Sequence, residues 1–217
     1  MKIAMISDVH DKFKNLVIPE CDLLISAGDY SFRGEKHIVE RFHAWLSKQP
    51  ARHVISVQGN HETWVEKNFA EAKEIANKVA PRVHFIDEGT IEIEGVKIHC
   101  SAITPWFYNW AWNRHRGPEI KRHWDLIPDD VDVLVTHGPP HGQLDIVYYP
   151  DGMTPKERVG CIDLKERIRE LKKLKLHVFG HIHGSSGETT FNGVRYVNAS
   201  ICDEMYMPTN PVREFEL

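Results

Sequence analysis

His53-Val54-Ile55-Ser56-Val57-Gln58-Gly59-Asn60-His61-Glu62 runs from a β-branched apolar segment into a glycine and then into three polar side chains. Such a run reads as a buried strand, His53 to Val57, that ends in a tight turn at Gly59. The turn aims Asn60 and His61 off the carboxyl end of a sheet, where α/β folds place their chemistry. Other apolar runs end alike, in Asp8-Val9-His10, in Gly28-Asp29, in Thr136-His137 and in Gly180-His181-Ile182-His183. Five strand ends that deliver Asp, Asn or His predict one convergent polar site.

Outward from that stretch, Lys2 to Ser7 and Asp22 to Ala27 read as the two preceding strands, with a short helix or loop around Asp11 to Pro19. Glu35 to Lys48 carries Ile38, Val39, Phe42, Trp45 and Leu46 at helical spacing and stops before Pro50. Trp64 to Ala80, rich in Ala, Glu and Lys and closed by Pro81, predicts a second helix. Val83 to Ile86, Ile91 to Ile93 and Val96 to Ala102 are short alternating runs parted by Glu88-Gly89 and Glu94-Gly95, the pattern of antiparallel hairpins. Buried strands return at Val131 to Thr136 and Leu176 to Phe179, with a charged helix from Asp163 to Lys173 between them. Thr189 to Phe191 and Val194 to Val197 make a further hairpin about Asn192-Gly193. The expected class is α/β (α+β), with two mixed sheets and helices outside them rather than one doubly wound sheet.

A chain of 217 residues with 41% hydrophobic composition can form one domain that buries roughly 70% of its unfolded surface. With no repeat or linker, residues 1–217 are expected to be a single domain. The net charge of -4 gives no global basic field, so no duplex nucleic acid is expected as a partner. Met1 to Ile6 lacks the parts of a secretory signal, and no run approaches the roughly 20 apolar residues of a membrane span. A cytoplasmic protein with no membrane partner is the expectation. Cys21, Cys100, Cys161 and Cys202 are far apart, without a CxxC pair, and read as reduced thiols rather than a zinc ribbon. Histidine, at 14 residues, is the unusual component.

Carboxylate oxygens mixed with imidazoles suit Mn, Fe, Zn, Ni or Co better than Mg or Ca. If strand geometry continues, Asp8 and His10 leave the same face, and His181 and His183 repeat that spacing. Each motif alone is mostly a surface turn or a satisfied polar residue. Together, in this order and at strand ends, they point to a metal site.

The set Asp8-x-His10, Gly28-Asp29, Gly59-Asn60-His61-Glu62, His137 and Gly180-His181-x-His183 resembles the calcineurin-like metallophosphoesterase superfamily. Thr104-Pro105-Trp106-Phe107, Thr136-His137-Gly138-Pro139-Pro140, Val159-Gly160-Cys161, His177-Val178-Phe179-Gly180 and Pro208-Thr209-Asn210-Pro211 narrow the resemblance to the metallophosphoesterase-domain-containing (class III) phosphodiesterases. The resemblance implies an αββα four-layer sandwich and two divalent transition metal ions, Mn first. It implies that Asp8, His10, Asp29 and His183 hold one metal, and that Asp29, Asn60, His137 and His181 hold the other, Asp29 bridging. Where the superfamily often reads Gly-Asp-x-x-Asp, Phe32 stands at the second Asp position. That Asp can orient the catalytic histidine, so Glu62 or another carboxylate is the expected substitute.

Two metals roughly 3.5 to 4 Å apart suit in-line displacement at a phosphate ester by a metal-activated hydroxide. Asn60 and His61 form the catalytic pair, His61 stabilising the phosphate or protonating the leaving oxygen. Trp106 to Trp112 places five aromatic residues in seven positions, followed by Arg114-His115-Arg116. Aromatic faces stack nucleobases and Arg meets phosphate, which makes Trp106, Arg114 and Arg116 the candidate contacts to a small nucleotide-like phosphate ester. The same segment reads equally as a packed lid or an oligomer contact. A phosphodiesterase is therefore expected; the alternatives are a phosphomonoesterase, a non-catalytic metal-bound scaffold favoured by Phe32, and a nuclease of DNA ends. His43, His53, His84, His99 and His123 read as surface or packing residues, and Lys165 to Lys175 as a solvated helix face.

Overall fold

The buried runs of the first half assemble into a five-stranded sheet in the order Arg213–Glu216, Lys2–Ile6, Cys21–Ala27, Ala51–Val57, Val83–Ile86. The last four are parallel, and the carboxyl-terminal strand closes the edge antiparallel to Lys2–Ile6. The second sheet has six strands in the order Gly187–Phe191, Val194–Asn198, Leu176–Phe179, Val133–Thr136, Val96–Ser101, Glu88–Ile93. Its four central strands are parallel and its two edges antiparallel. The structure is a computed structural model that describes residues 1–148 and 156–217.

The two mixed sheets pack as a sandwich with helices outside. Lys36–Leu46 turns Ile38, Val39, Phe42, His43 and Leu46 inward, a stripe set by the 3.6-residue period. Beside it lies Phe69–Val79, whose buried Ala72 and Ala76 are one turn apart. Pro118–Trp124 and Ile162–Glu170 pair on the other side, where Trp124 is fully buried. The sheets join at their carboxyl ends, because Ser7 bridges to Ser200 and its N–H donates to the Ala199 carbonyl at 2.8 Å. That join brings the exit loops of five parallel strands to one place.

Three expectations change in detail. Val83–Ile86 is not half of a hairpin: it is the parallel edge strand after Ala51–Val57 and helix Phe69–Val79. Alternation reports one buried face and is silent on strand direction. The expected helix Trp64 to Ala80 is two helices, Thr63–Lys67 and Phe69–Val79. Between them Asn68 turns its side-chain amide to the Trp64 carbonyl at 2.8 Å, the local competition that Asn offers a helix backbone. The charged helix spans Ile162–Glu170 rather than Asp163 to Lys173; the short helical turn Phe13–Asn15 between the first two strands agrees with the expected short helix or loop. Helix Pro118–Trp124 and strand Arg213–Glu216 were not anticipated; the latter holds a single apolar side chain, Phe215. All four cysteines are buried and free.

Candidate metal centre

Each candidate ligand stands just past a parallel strand: Asp8 after Lys2–Ile6, Asp29 after Cys21–Ala27, Asn60 after Ala51–Val57, His137 after Val133–Thr136, and His181 and His183 after Leu176–Phe179. Asp8 and His10 do not continue a strand, as the sequence reading supposed. Asp8 (φ 52°), His10 (φ 39°), Asp29 (φ 51°) and His181 (φ 69°) all take the left-handed conformation. Each such residue stores on the order of 1–3 kcal/mol, held by its surroundings. Those surroundings are main-chain bonds between neighbouring exit loops: Asp8 N–H to Gly28 C=O at 3.0 Å and His10 N–H to Asp29 C=O at 3.1 Å. Gly28 (φ +103°) is required here, because a Cβ on it would stand 2.6 Å from His137 Nδ1. A side chain on Gly180 would overlap the Asp8 carboxylate.

The structure brings these side chains into three overlapping groups, Asp8–His10–His183, His10–Asp29–His61 and Asp29–His137–His181. Their donor atoms fit a cation, and main-chain carbonyls show why. A carbonyl can only accept, so each ring nitrogen facing one carries the proton. His10 Nδ1 faces Ser31 C=O at 3.3 Å, His137 Nδ1 faces Ala27 C=O at 2.9 Å and His183 Nδ1 faces Asp203 C=O at 2.9 Å. The inward Nε2 atoms are left as bare lone pairs. His10 Nε2 and His183 Nε2 lie 3.1 Å apart; His137 Nε2 lies 2.8 Å from Asn60 Oδ1 and 3.2 Å from Asp29 Oδ2. Lone pairs crowded this closely need positive charge between them, and the carbonyl bonds are the outer contacts that aim metal-ligating histidines.

Protonation behaviour shows the same demand. Burial pulls His10 down to about 4 and His181 down to about 3, so both rings are neutral and ready to ligate. Burial also opposes a charge on His137, but the charge of Asp29 and its hydrogen bond, with Asp8 and the Ala27 carbonyl, carry it up to about 9. Burial pushes both carboxyls up, yet His183 holds Asp8 low and His137 holds Asp29 low. Without a metal ion, the cluster draws a proton into the place of a cation.

Phe32 does not leave His61 unoriented. Its main-chain carbonyl accepts from His61 Nδ1–H at 3.2 Å, and the His61 N–H donates to Asp29 Oδ1 at 2.8 Å. Glu62 is not the substitute carboxylate. It is fully buried and accepts from the N–H groups of Asp29 (2.9 Å), Ser31 (3.1 Å) and Gly59 (2.8 Å) and from Ser31 Oγ (2.9 Å). Burial and the charge of Asp29 push its pKa up. Four donors on two oxygens nevertheless leave no room for a proton, and Glu62 clamps the two ligand loops together as a carboxylate.

A cavity of about 320 Å³ opens over Asp29, Asn60, His61, His181 and His183, walled by Phe107, Trp110, Tyr148 and Tyr206. Trp106, Arg114 and Arg116 do not line it. Trp106 stacks on His115 with centroids 5.6 Å apart, Arg114 turns to the Asn113 carbonyl, and Arg116 donates to the Gly160 and Val159 carbonyls. The aromatic segment reaches the site through other members. Ala111 N–H binds the Asn60 carbonyl at 3.2 Å, which lays the Trp110 ring 4.5 Å from His61. Tyr206, in a stretch without a motif, packs edge-on against His10 at 4.8 Å and His183 at 5.2 Å. Its left-handed φ of 58° is a signal of local function that only the backbone reveals. Of the histidines read as surface or packing residues, His43 is fully buried and bonded to the Val39 carbonyl and Ser56 Oγ, whereas His84 is exposed.

The family described as Calcineurin-like phosphoesterase matches residues 1–185. A human protein named Metallophosphoesterase domain-containing protein 1 is 34% identical over 97% of this chain and 69% of its own length. A UPF0046 protein of Caenorhabditis elegans is 31% identical over 89% of this chain and 54% of its own length. Among solved structures, the phosphopantetheinyl hydrolase of Mycobacterium tuberculosis superposes with a TM-score of 0.62 at 17% identity, covering 94% of this chain and 90% of that one. That level of identity speaks for the fold alone. No helix among the described residues is long and apolar enough to cross a membrane.

Proposed function

Because the chain belongs to the calcineurin-like phosphoesterase family, we propose that it is a dinuclear metal-dependent phosphodiesterase acting on a small, nucleotide-like phosphate ester. The observation that supports this reading is Asp29, which stands in one group with His10 and His61 and in another with His137 and His181. Asp8, His10 and His183 would complete one ion, and Asn60, His137 and His181 the other; manganese is the first choice, with Fe, Zn, Ni or Co also compatible with these donors. When bound, such ions lower the pKa of water and offset phosphoryl charge.

The chain's own residues supply the rest. Phe32 C=O holds the Nδ1–H of His61 and turns Nε2 to the pocket, where the ring in its doubly protonated form would give the Nε2 proton to the departing oxygen and be left neutral. Phe107 and Trp110 exclude water on one side of the pocket and offer flat faces to an aromatic leaving group. The scaffold alternative rested on Phe32, and the Phe32 carbonyl removes that support. Residues 1–217 are read as one cytoplasmic domain without membrane or duplex nucleic-acid partners.

The test compares bis(p-nitrophenyl) phosphate with p-nitrophenyl phosphate on protein loaded with Mn, Ni, Zn or Mg. Faster diester turnover with Mn is expected. A monoester preference replaces the reading with a phosphomonoesterase, and no turnover with any metal ends it.

A further inference from the structure

The Lys165 to Lys175 run does not simply face water. Lys165, Arg169 and Lys172, spaced so as to share one face of helix Ile162–Glu170 and its exit, line a cavity of about 450 Å³ against the hairpin Gly187–Asn198. This is larger than the cavity at the metal centre and within the range of small-molecule sites. Among the described residues no carboxylate lines it; Glu166, which pairs with Arg169, stays outside. Phe191, 54% exposed at the hairpin tip, and Tyr196 give it aromatic walls over an aliphatic floor. His141 lines the same cavity, and its buried Nδ1 has no hydrogen-bond partner.

Three basic side chains and two aromatic faces around one small-molecule volume have a common complement. We propose that this cavity is a second binding site, separate from the metal centre, for a small phosphate that carries an aromatic group. The anion meets Lys165, Arg169 and Lys172, and the ring lies against Phe191 and Tyr196. Free phosphate would leave the aromatic walls uncovered, and an uncharged ring would leave Lys165 and Lys172 without an anion; Arg169 already has Glu166.

The experiment is calorimetric titration of AMP and of phenyl phosphate into protein stripped of metal with EDTA, which removes the competing phosphate contacts of the metal centre. Saturable binding of at least one probe is expected, tighter than inorganic phosphate or adenosine alone. The double variant Lys165→Glu/Lys172→Glu should weaken it about tenfold or more, a change of about 1.4 kcal/mol, and Phe191→Ala should weaken it for the aromatic probes but not for phosphate. Thermal midpoints and turnover of bis(p-nitrophenyl) phosphate by the metal-loaded double variant establish that it is folded. Absence of saturable binding by both probes, or binding that the double variant leaves unchanged, overturns the proposal. Neither result touches the phosphodiesterase reading, which rests on the other cavity.

Discussion

Asp8, His10, Asp29, Asn60 and His137, at the floor of the metal pocket, are at most 2% exposed, whereas in the segments that form its rim Tyr108 is 87% and Met205 73% exposed. The floor is held redundantly. The rings of His10, His61, His137 and His183 are each fixed at Nδ1 by a carbonyl, and Glu62 ties Asp29, Ser31 and Gly59 to one carboxylate. The rim is tied mostly within its own segments, as where Asp203 accepts from the N–H groups of Met205 and Met207, and meets the floor through such bonds as Ala111 N–H to Asn60 C=O. Cation binding tolerates little displacement of a lone pair, while an aromatic wall needs only to present a face. Rigidity is therefore spent where coordinates matter, and the rim is free to differ.

If that contrast is right, the largest loss comes from the floor. Asp29→Asn should lower turnover of bis(p-nitrophenyl) phosphate by at least on the order of 10³-fold, with metal content measured by emission spectroscopy falling in parallel; retained turnover breaks the contrast. Beneath the floor, His43 is buried and its pKa is pulled down to about 4 by burial, against the Val39 carbonyl, which raises it. Its folded value lies below its unfolded value of about 6.5, so the unfolded chain binds the extra proton between those limits. The stability it contributes is complete above pH 6.5, lost as pH falls toward 4, and amounts to about 3 kcal/mol. Denaturant melts of the metal-free protein should show this acid loss, and His43→Gln should make the curve shallower; an identical pH slope in the variant counts against it.

Glu62→Gln places an amide N–H₂ against main-chain donors and should destabilise by about 2 kcal/mol, read as a lower denaturation midpoint. At the rim, Trp110→Ala should raise KM about tenfold for a nucleotide diester and change kcat less, since the ring covers His61 without ligating metal. The smallest effect is Tyr108→Ala, with stability within about 0.5 kcal/mol of the parent and KM unchanged. A large loss at Tyr108 would show that the rim is as tightly specified as the floor.

The candidate floor was legible in the sequence because the side chains that could hold a metal are confined to Asp, Asn and His, and glycines mark the turns that bring them close. Gly28, Gly59 and Gly180 stand beside ligands for that steric reason. The rim was not legible. Trp106 and Trp110 are alike in the sequence, yet one stacks on His115 and the other lies tilted against His61. The difference arises from how the loop crosses Asn60, a contact between distant segments. Arg114 and Arg116 look like phosphate ligands until carbonyls are found to occupy them.

The sequence by itself determined the family, the two-sheet class and the order in which ligands leave their strands, since apolar periodicity and residue chemistry are local properties. Tertiary structure alone decided the direction of Val83–Ile86, the carbonyl that orients His61, the role of Glu62 as a clamp and the walls of both cavities. Each of these depends on which main-chain groups approach from elsewhere in the chain. Hydrogen bonds and packing reach only a few ångströms, so they are settled once the sheets have joined and not before.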